Sequence, residues 1–520
     1  MGKGKNNEDI ENEKDIFDKK KNPRNEFLKA LIFAVVLVTI SVVAIYNVFW
    51  NDTWKVTENG SNENGQNNGK TDADGNNKTE PGTTENAGNA GTDTGTPGTS
   101  GTGEITETGG YENPESVEVS IAENITIDSE YLVGFTDSRS ALKNMRAAGF
   151  DTSKYEEYGD FEIKGIYAGH LQKDSSFYEN IVWLSESTEL NTVVIDVKDD
   201  FGYITFDTDL QIVKDLGLTA PDTGYYYIAD IDELLKSLHS KGIYCIARIV
   251  CFKETYFTDS GLVTAHPDWF IKTKDGEIFR DKSTLNGVVR PYAWLNPYNT
   301  EALDYIVSVA SCAAKVGFDE ICFDYMRTPT DADLSNLDFG EDALKYTFSE
   351  QIARFVRYAC NRLKPLGVYV SGSVYGITID SVTDSENLGQ DYEALAKYLD
   401  YICPMVYPSQ YGTDYWPIEN VSEHPYDLVS MEINASNKRL KKVKEETGGY
   451  AAVCRPWLQA FSANGSKYDY GKIRIQVTAC NDRDVYGFMY WNSSVYYEQE
   501  YFLTKEEERE QNNNRKTKSE

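Results

Sequence analysis

From about residue 160 onward the chain falls into a beat. Short apolar runs alternate with stretches whose apolar positions recur at helical spacing. The runs read as strands at IKGIYAG (163–169), TVVIDVKDD (192–200), YCIARIV (244–250) and EICFDYMR (320–327). Four more follow: YVSGSVYG (369–376), YICPMVYPS (401–409), AAVCRPWLQA (451–460) and YGFMYWNSS (486–494). Between them, stretches such as IDELLKSLHSKG and TEALDYIVSVASCAAKVG predict helices, the second closed by Gly317. Alternation of this kind marks repeated βα units on a parallel sheet. Eight units over ~330 residues predict an α/β fold, a (β/α)8 TIM-type barrel with insertions. The other reading, an open doubly wound sheet, wants a Gly-rich phosphate loop after an early strand. None is present.

A barrel makes strand ends informative, because the carboxyl ends converge on the face where active sites are built. Polar residues gather there: His170 on the first run, Asp196, Lys198 and Asp199 on the second, Arg248 on the third, Asp324 and Arg327 on the fourth. Tyr407 ends the sixth, Arg455, Trp457 and Gln459 the seventh, and Trp491 and Asn492 the eighth. Burying a lone carboxylate is costly, so Asp324 either has partners or emerges where chemistry is done. A layer of ion pairs capping the barrel is the plainer alternative. The longest insertion, 251–300, carries WFIKTKDGEIFRDK, in which Asp275-Gly276 suits a tight hairpin turn. Trp269, Tyr292 and Trp294 in this insertion suit either a core or a sugar-binding wall.

The flanks differ from the beat. Residues 1–26 are polar and read as a cytoplasmic tail. FLKALIFAVVLVTISVVAIYNVFW, residues 27–50, is long enough to span a ~30 Å hydrocarbon core as one transmembrane signal-anchor helix. Lys19, Lys20, Lys21, Arg24 and Lys29 crowd its first end, which places the amino terminus in the cytoplasm and the rest outside the cell membrane. A cleaved signal peptide is the alternative, but a site at Val42 and Ala44 would fall inside the apolar run. Residues 51–120 are Gly, Asn, Thr and Asp, unable to bury enough apolar surface to offset ordering entropy, and read as a flexible stalk. The barrel then occupies 121–503, and the polar tail 504–520 is expected to be disordered.

Composition narrows the partners. A net charge of −32 argues against nucleic acid, whose phosphates need a basic surface. Aromatic content of 13% favours sugars, whose C–H faces stack on rings. Eight cysteines lie at 245, 251, 312, 322, 360, 403, 454 and 480. Cys245, Cys322, Cys403 and Cys454 sit inside apolar runs, so they read as mostly free, buried thiols. No CxxC or Cys/His cluster suggests zinc, and no cofactor or metal is expected.

Several segments, in order, resemble a known family. GFDEICFDYMRTP, CPMVYPS, RPWLQAF and WLNP look like the glycoside hydrolase family with a TIM barrel long catalogued as a domain of unknown function. VVIDVKDDFG, IVCFKE and NLGQD extend the likeness, which covers roughly residues 160 to 500. The resemblance implies a sugar-cleaving barrel and carbohydrate or cell-wall polysaccharide as partner. There are departures. Ser373 stands where the family pattern carries an Asp, Ala460 replaces another Asp, and Lys253-Glu254 replaces Lys-Asp.

Glycoside cleavage uses two carboxyl groups, one protonating the leaving oxygen, the other attacking the sugar or activating water. Asp324 is the first candidate, and Glu254, Asp196 and Asp199 are the candidates for its partner. Lys198, Arg248 and Arg455 are placed to keep one carboxylate ionised while a drier neighbour stays protonated. Tyr407, Gln459, Asn492 and His170 are placed to hydrogen-bond sugar hydroxyls, with Arg327, Trp457 and Trp491 completing the binding set. A non-catalytic carbohydrate-binding relative of the same barrel is the alternative.

Overall fold

The computed structural model describes residues 162–519, except 222–225, 259, 286, 287 and 331. The apolar runs become β1 (Lys164–Gly169), β2 (Thr192–Lys198), β3 (Tyr244–Val250), β4 (Glu320–Asp324), β5 (Tyr369–Tyr375) and β6 (Tyr401–Val406). Next come β7, in two pieces (Val453–Cys454 and Trp457–Gln459), and β8 (Phe488–Trp491). Each pairs in parallel with the next, and β8 pairs with β1, so the sheet closes into an eight-stranded barrel with no free edge. The seventh strand is split by Pro456, which has no N–H to give to a ladder.

Helices follow the strands: α1 (Ser176–Ser187), α2 (Ile231–His239), α3 (Thr300–Val316), α4 (Phe348–Leu363), α5 (Tyr392–Ala396), α6 (Pro425–Glu446) and α7 (Tyr470–Asn481). In α3 the Asn299 side chain accepts the Ala302 N–H, and Gly317, at φ 115°, ends the helix by donating to the Ala313 and Ala314 carbonyls. Leu303, Ile306, Val307 and Ala310 form its buried stripe. Each large side chain so buried contributes about 1.5–3 kcal/mol. A capping box between Thr347 and Glu350 starts α4.

Strand alternation divides two cores. On β3, Cys245, Ala247 and Ile249 pack against the helices, while Tyr244 and Ile246 fill the lumen. On β2, Val193, Ile195 and Val197 face out and Val194 faces in. The lumen is a packed interior with a floor. There Glu320, the first residue of β4, takes the Arg455 guanidinium as a fork, with Ser371 and Tyr244 hydroxyls on the same carboxylate. All eight cysteines are free thiols, seven of them buried. The hairpin expected at Asp275-Gly276 forms, closed by Gly276 N–H to the Thr273 carbonyl at 2.9 Å.

The carboxyl-terminal tail corrects the reading from composition. Lys505–Ser519 is a helix, α8, not a disordered tail. Thr504 and Glu507 cap each other reciprocally, and Arg474–Glu507 and Arg515–Glu162 ion pairs at 3.2 and 2.9 Å tie it to the barrel. Polarity alone had hidden these specific contacts. Among the described residues no helix is long and apolar enough to cross a membrane. The segment 27–50 and the stalk lie outside the described residues.

Candidate functional site

At the carboxyl ends of the strands one buried cation gathers three carboxylates. Arg248 Nη1 donates to Asp196 Oδ1 at 2.8 Å, Nε donates to Asp324 Oδ2 at 2.8 Å, and Nη1 and Nη2 both reach Asp200 Oδ2 at 3.1 Å. Charge-assisted bonds of this kind are the strong ones. Burial pulls the Arg248 pKa down, but the three carboxylates outweigh it and hold the guanidinium charged. Asp196 has both oxygens occupied, since Oδ2 accepts the Tyr167 hydroxyl at 2.6 Å. Tyr167 in turn stacks on Trp491 with centroids 4.1 Å apart.

The chain leaves β4 abruptly after Asp324. Tyr325 sits at φ 53°, in the left-handed region where a bulky residue costs about 1–3 kcal/mol. Its N–H caps Asp324 Oδ1 at 2.8 Å, and the Asp324 carbonyl accepts the Cys251 N–H at 2.8 Å. Asp324 is thereby fixed through both oxygens while staying at the mouth of the barrel. The Tyr325 ring is shared by Lys253, Arg327 and Arg248, whose cationic centres lie 4.8, 4.9 and 6.0 Å from its centroid.

Asp200 is the most open acid of the group, with 30% of its side chain exposed. Lys253 Nζ lies 3.2 Å from its Oδ1. Burial would raise the Asp200 pKa, but Arg248 and Lys253 overcome it and hold the carboxyl well below the usual range. Tyr407 is buried beside the group, and its hydroxyl has no hydrogen-bond partner among the described residues. Burial and then the Asp324 charge push its pKa up.

Other expected site residues are placed elsewhere, each for a local reason. A β-bulge between Asp196 and Lys198 shifts the register against β3, so Lys198 pairs with the outward-facing Ile249. Lys198 therefore points out of the lumen, 2.6 Å from Glu254 Oε2, and both are sealed. Burial raises the Glu254 pKa, with Lys198 opposing. Gly202, at φ 81°, is required here, because a Cβ would run into Glu254 Oε1.

Asp199 accepts the Phe201 and Tyr203 N–H groups at 2.9 Å and holds His170 Nε2 at 3.2 Å, so it shapes the loop. Arg455 is a correction. It lies in the floor with Glu320, not at the mouth, because it stands near the start of its strand, which runs on past Pro456 to Gln459. Gln459 accepts the Ser409 N–H and donates to the Phe461 carbonyl, and Asn492 donates to the Ala460 and Tyr496 carbonyls. Both are loop braces. Trp457 donates to Ser373 Oγ at 3.0 Å inside the lumen, which gives Ser373 a structural partner.

Within the long insertion, Trp269 belongs to the core, stacked on His266 at 4.0 Å, and Trp294 donates to Asp281 at 3.2 Å. Tyr292 lies under Lys253 at 4.2 Å. Asp200, Tyr167 and Tyr325 were not site candidates from sequence, and Lys253 entered only through the Lys253-Glu254 departure. Only Tyr167 left a usable signal, an aromatic two residues before the end of β1, on the lumen phase of the alternation. Trp416, 89% exposed in the loop after β6, was also missed.

Among the described residues one group offers metal-ligating atoms, at the opposite end of the barrel. His239, Cys245 and Asp319 bring ligand atoms within 4.8 Å of one another. They already satisfy one another: Asp319 Oδ2 takes His239 Nε2 at 2.9 Å and the Cys245 N–H at 2.8 Å. Burial pushes the Cys245 thiol up, away from the thiolate a metal needs.

Comparison with known proteins yields one family. A family described as "Putative glycosyl hydrolase domain" matches residues 165–497. No curated protein matches the chain. Among solved structures, a hypothetical protein from Ruminiclostridium thermocellum is 30% identical, over 40% of this chain and 96% of its own, with a TM-score of 0.33. The PgaB (BpsB) glycoside hydrolase domain from Bordetella bronchiseptica is 14% identical over 64% of this chain and 94% of its own, with a TM-score of 0.42. An α-galactosidase from Thermus thermophilus is 16% identical over 67% of this chain and 64% of its own, with a TM-score of 0.37.

Proposed function

We propose a function on one premise: this chain belongs to the glycosyl hydrolase domain family that matches it over residues 165–497. The protein cleaves glycosidic bonds in cell-wall or extracellular polysaccharide, from a barrel held outside the cell by the 27–50 anchor and its stalk. The observation that carries the chemistry is the convergence of Asp324, Asp196 and Asp200 on Arg248 at the barrel mouth. Asp324 is the nucleophile or base. Its two oxygens are oriented by Arg248 and the Tyr325 N–H. Asp200 is the second open carboxylate and takes the proton-donor role once substrate parts it from Arg248 and Lys253. Trp416 offers a stacking platform on the same face.

A second reading, binding without turnover, is favoured by one specific observation. Asp200 is held ionised by Arg248 and Lys253, so the most open carboxyl of the group does not stand ready as an acid. Reducing-sugar release by the full chain from a panel of cell-wall and extracellular glycans decides between them. Release by the wild type and none by Asp324→Asn supports hydrolysis. Binding with no release by the wild type selects the second reading. Protease added to intact cells tests the topology, since a barrel that stays protected after wall removal would overturn the anchored arrangement.

A further inference from the structure

Six lysines and arginines are buried among the described residues: Lys164, Lys198, Arg248, Arg327, Lys364 and Arg455. Five have a carboxylate within ion-pair distance, on Glu162, Glu254, the three aspartates, Asp400 and Glu320 in turn. Arg327 has none. It is 6% exposed, and its single side-chain hydrogen bond runs from Nη1 to the Thr328 carbonyl at 2.8 Å. Trp294, Tyr325 and Tyr375 close around the guanidinium, with centroids 5.0, 4.9 and 5.0 Å from Cζ.

A buried charge without a counter-ion is costly, and rings recover only part of that cost. Rings packed at these distances also fix the orientation of the guanidinium, leaving N–H groups beyond the one on Thr328 to a planar anion. The position matters equally. Arg327 lies three residues beyond Asp324 and shares the Tyr325 ring with Lys253 and Arg248, so an anion on Arg327 stands beside the carboxylates of the site. The strained Tyr325 backbone holds that shared ring in place.

We propose that Arg327 is a specificity residue that takes a carboxylate substituent of the glycan, so that the substrate is an acidic polysaccharide. This rests on the hydrolase or glycan-binding reading above. The ligand carboxylate supplies the counter-ion the protein withholds, through a bidentate pair with the guanidinium. The same carboxylate occurs in uronic acid residues and in the lactyl ether of bacterial cell-wall glycan strands.

The test compares substrates before it compares variants. The full chain is given oligogalacturonate, oligomannuronate and peptide-free cell-wall glycan strands, each beside its carboxyl-reduced form. Cleavage is measured, or affinity by calorimetry where no cleavage occurs. A preference of roughly a hundredfold for one carboxylate form over its reduced form is expected, and the preferred probe tells uronate from lactyl ether. Arg327→Gln should abolish that preference chiefly through KM or Kd, and Arg327→Lys should restore part of it. If the reduced forms are handled as well as their parents, or Arg327→Gln keeps the preference, the inference is overturned. Should Arg327→Gln fail to fold, the wild-type comparison decides alone. Activity confined to neutral glycans overturns the inference and leaves the hydrolase standing, whereas neither binding nor cleavage of any glycan overturns both.

Discussion

The floor and the mouth of this barrel are built from the same strands by opposite rules. On β4, Glu320 and Asp324 lie four residues apart on the same phase. At the floor, Glu320 meets one cation, Arg455, and the remaining lone pairs are taken by Ser371 and Tyr244. The charges are matched one to one, only the Arg455 Nε lacks a hydrogen-bond partner among the described residues, and both residues are sealed. At the mouth, among the described residues, Arg248 meets three acids, Arg327 meets none, and the Tyr407 hydroxyl has no hydrogen-bond partner. The difference teaches where to look for chemistry. A matched buried pair is complete without a ligand, whereas a mismatched set is held in place by the surrounding fold and completed by what binds.

Breaking each end separately should give opposite phenotypes. The largest effect is expected from Asp324→Asn. It should cut glycan hydrolysis by about a thousandfold or more, on the order of 4 kcal/mol of barrier. Its melting temperature should barely move, because Arg248 keeps Asp196 and Asp200. A large melting loss with unchanged turnover would mean that the mouth is a structural cap like the floor.

Glu320→Gln should do the reverse. It leaves Arg455 buried without a counter-charge and should cost about 3–5 kcal/mol of stability by denaturant titration. Turnover per folded molecule should hold. A fully stable Glu320→Gln would dissolve the contrast between the two ends.

Tyr407→Phe sharpens the same contrast more gently. Removing an unpartnered buried hydroxyl should leave stability unchanged or slightly higher, while substrate affinity falls by about tenfold, near 1.4 kcal/mol. A matching loss of stability would show that the hydroxyl is already satisfied in the free protein.

The smallest effect concerns pH. Burial lowers the His170 pKa, but the Asp199 hydrogen bond and the Asp196 charge outweigh it, so the folded value is raised above 6.5. Its contribution to stability is therefore fully present below pH 6.5 and is lost as pH rises through the higher folded value. Melting curves should show this decline in the wild type and lack it in His170→Asn. An identical decline in both would assign it to another group.

The strands were legible because periodicity is a local property. β3 runs from Tyr244 to Val250, the whole of the predicted run, and the other strands start within two residues of it. Eight such runs with helices between them leave few closed solutions, so the barrel followed from the count. The convergence of polar strand ends was legible for the same reason, and it groups Asp196, Arg248 and Asp324, which the fold brings into contact.

What the residues do with one another was decided by contacts the sequence does not encode locally. Lys198 left the site because a bulge between Asp196 and Lys198 reversed its phase, and Glu254 left with it. Arg455 dropped to the floor because it lies near the start of its strand, which runs on past Pro456 to Gln459. Asp199 and Asp200 are neighbours with similar polarity, yet one turns back to brace a loop and the other meets Arg248. Hydrophobic period determines which segments are strands and helices. Register, bulges and ion-pair partners depend on residues far along the chain, as Arg248–Asp196 (52 apart) and Arg455–Glu320 (135 apart) show, so only the folded chain could settle them.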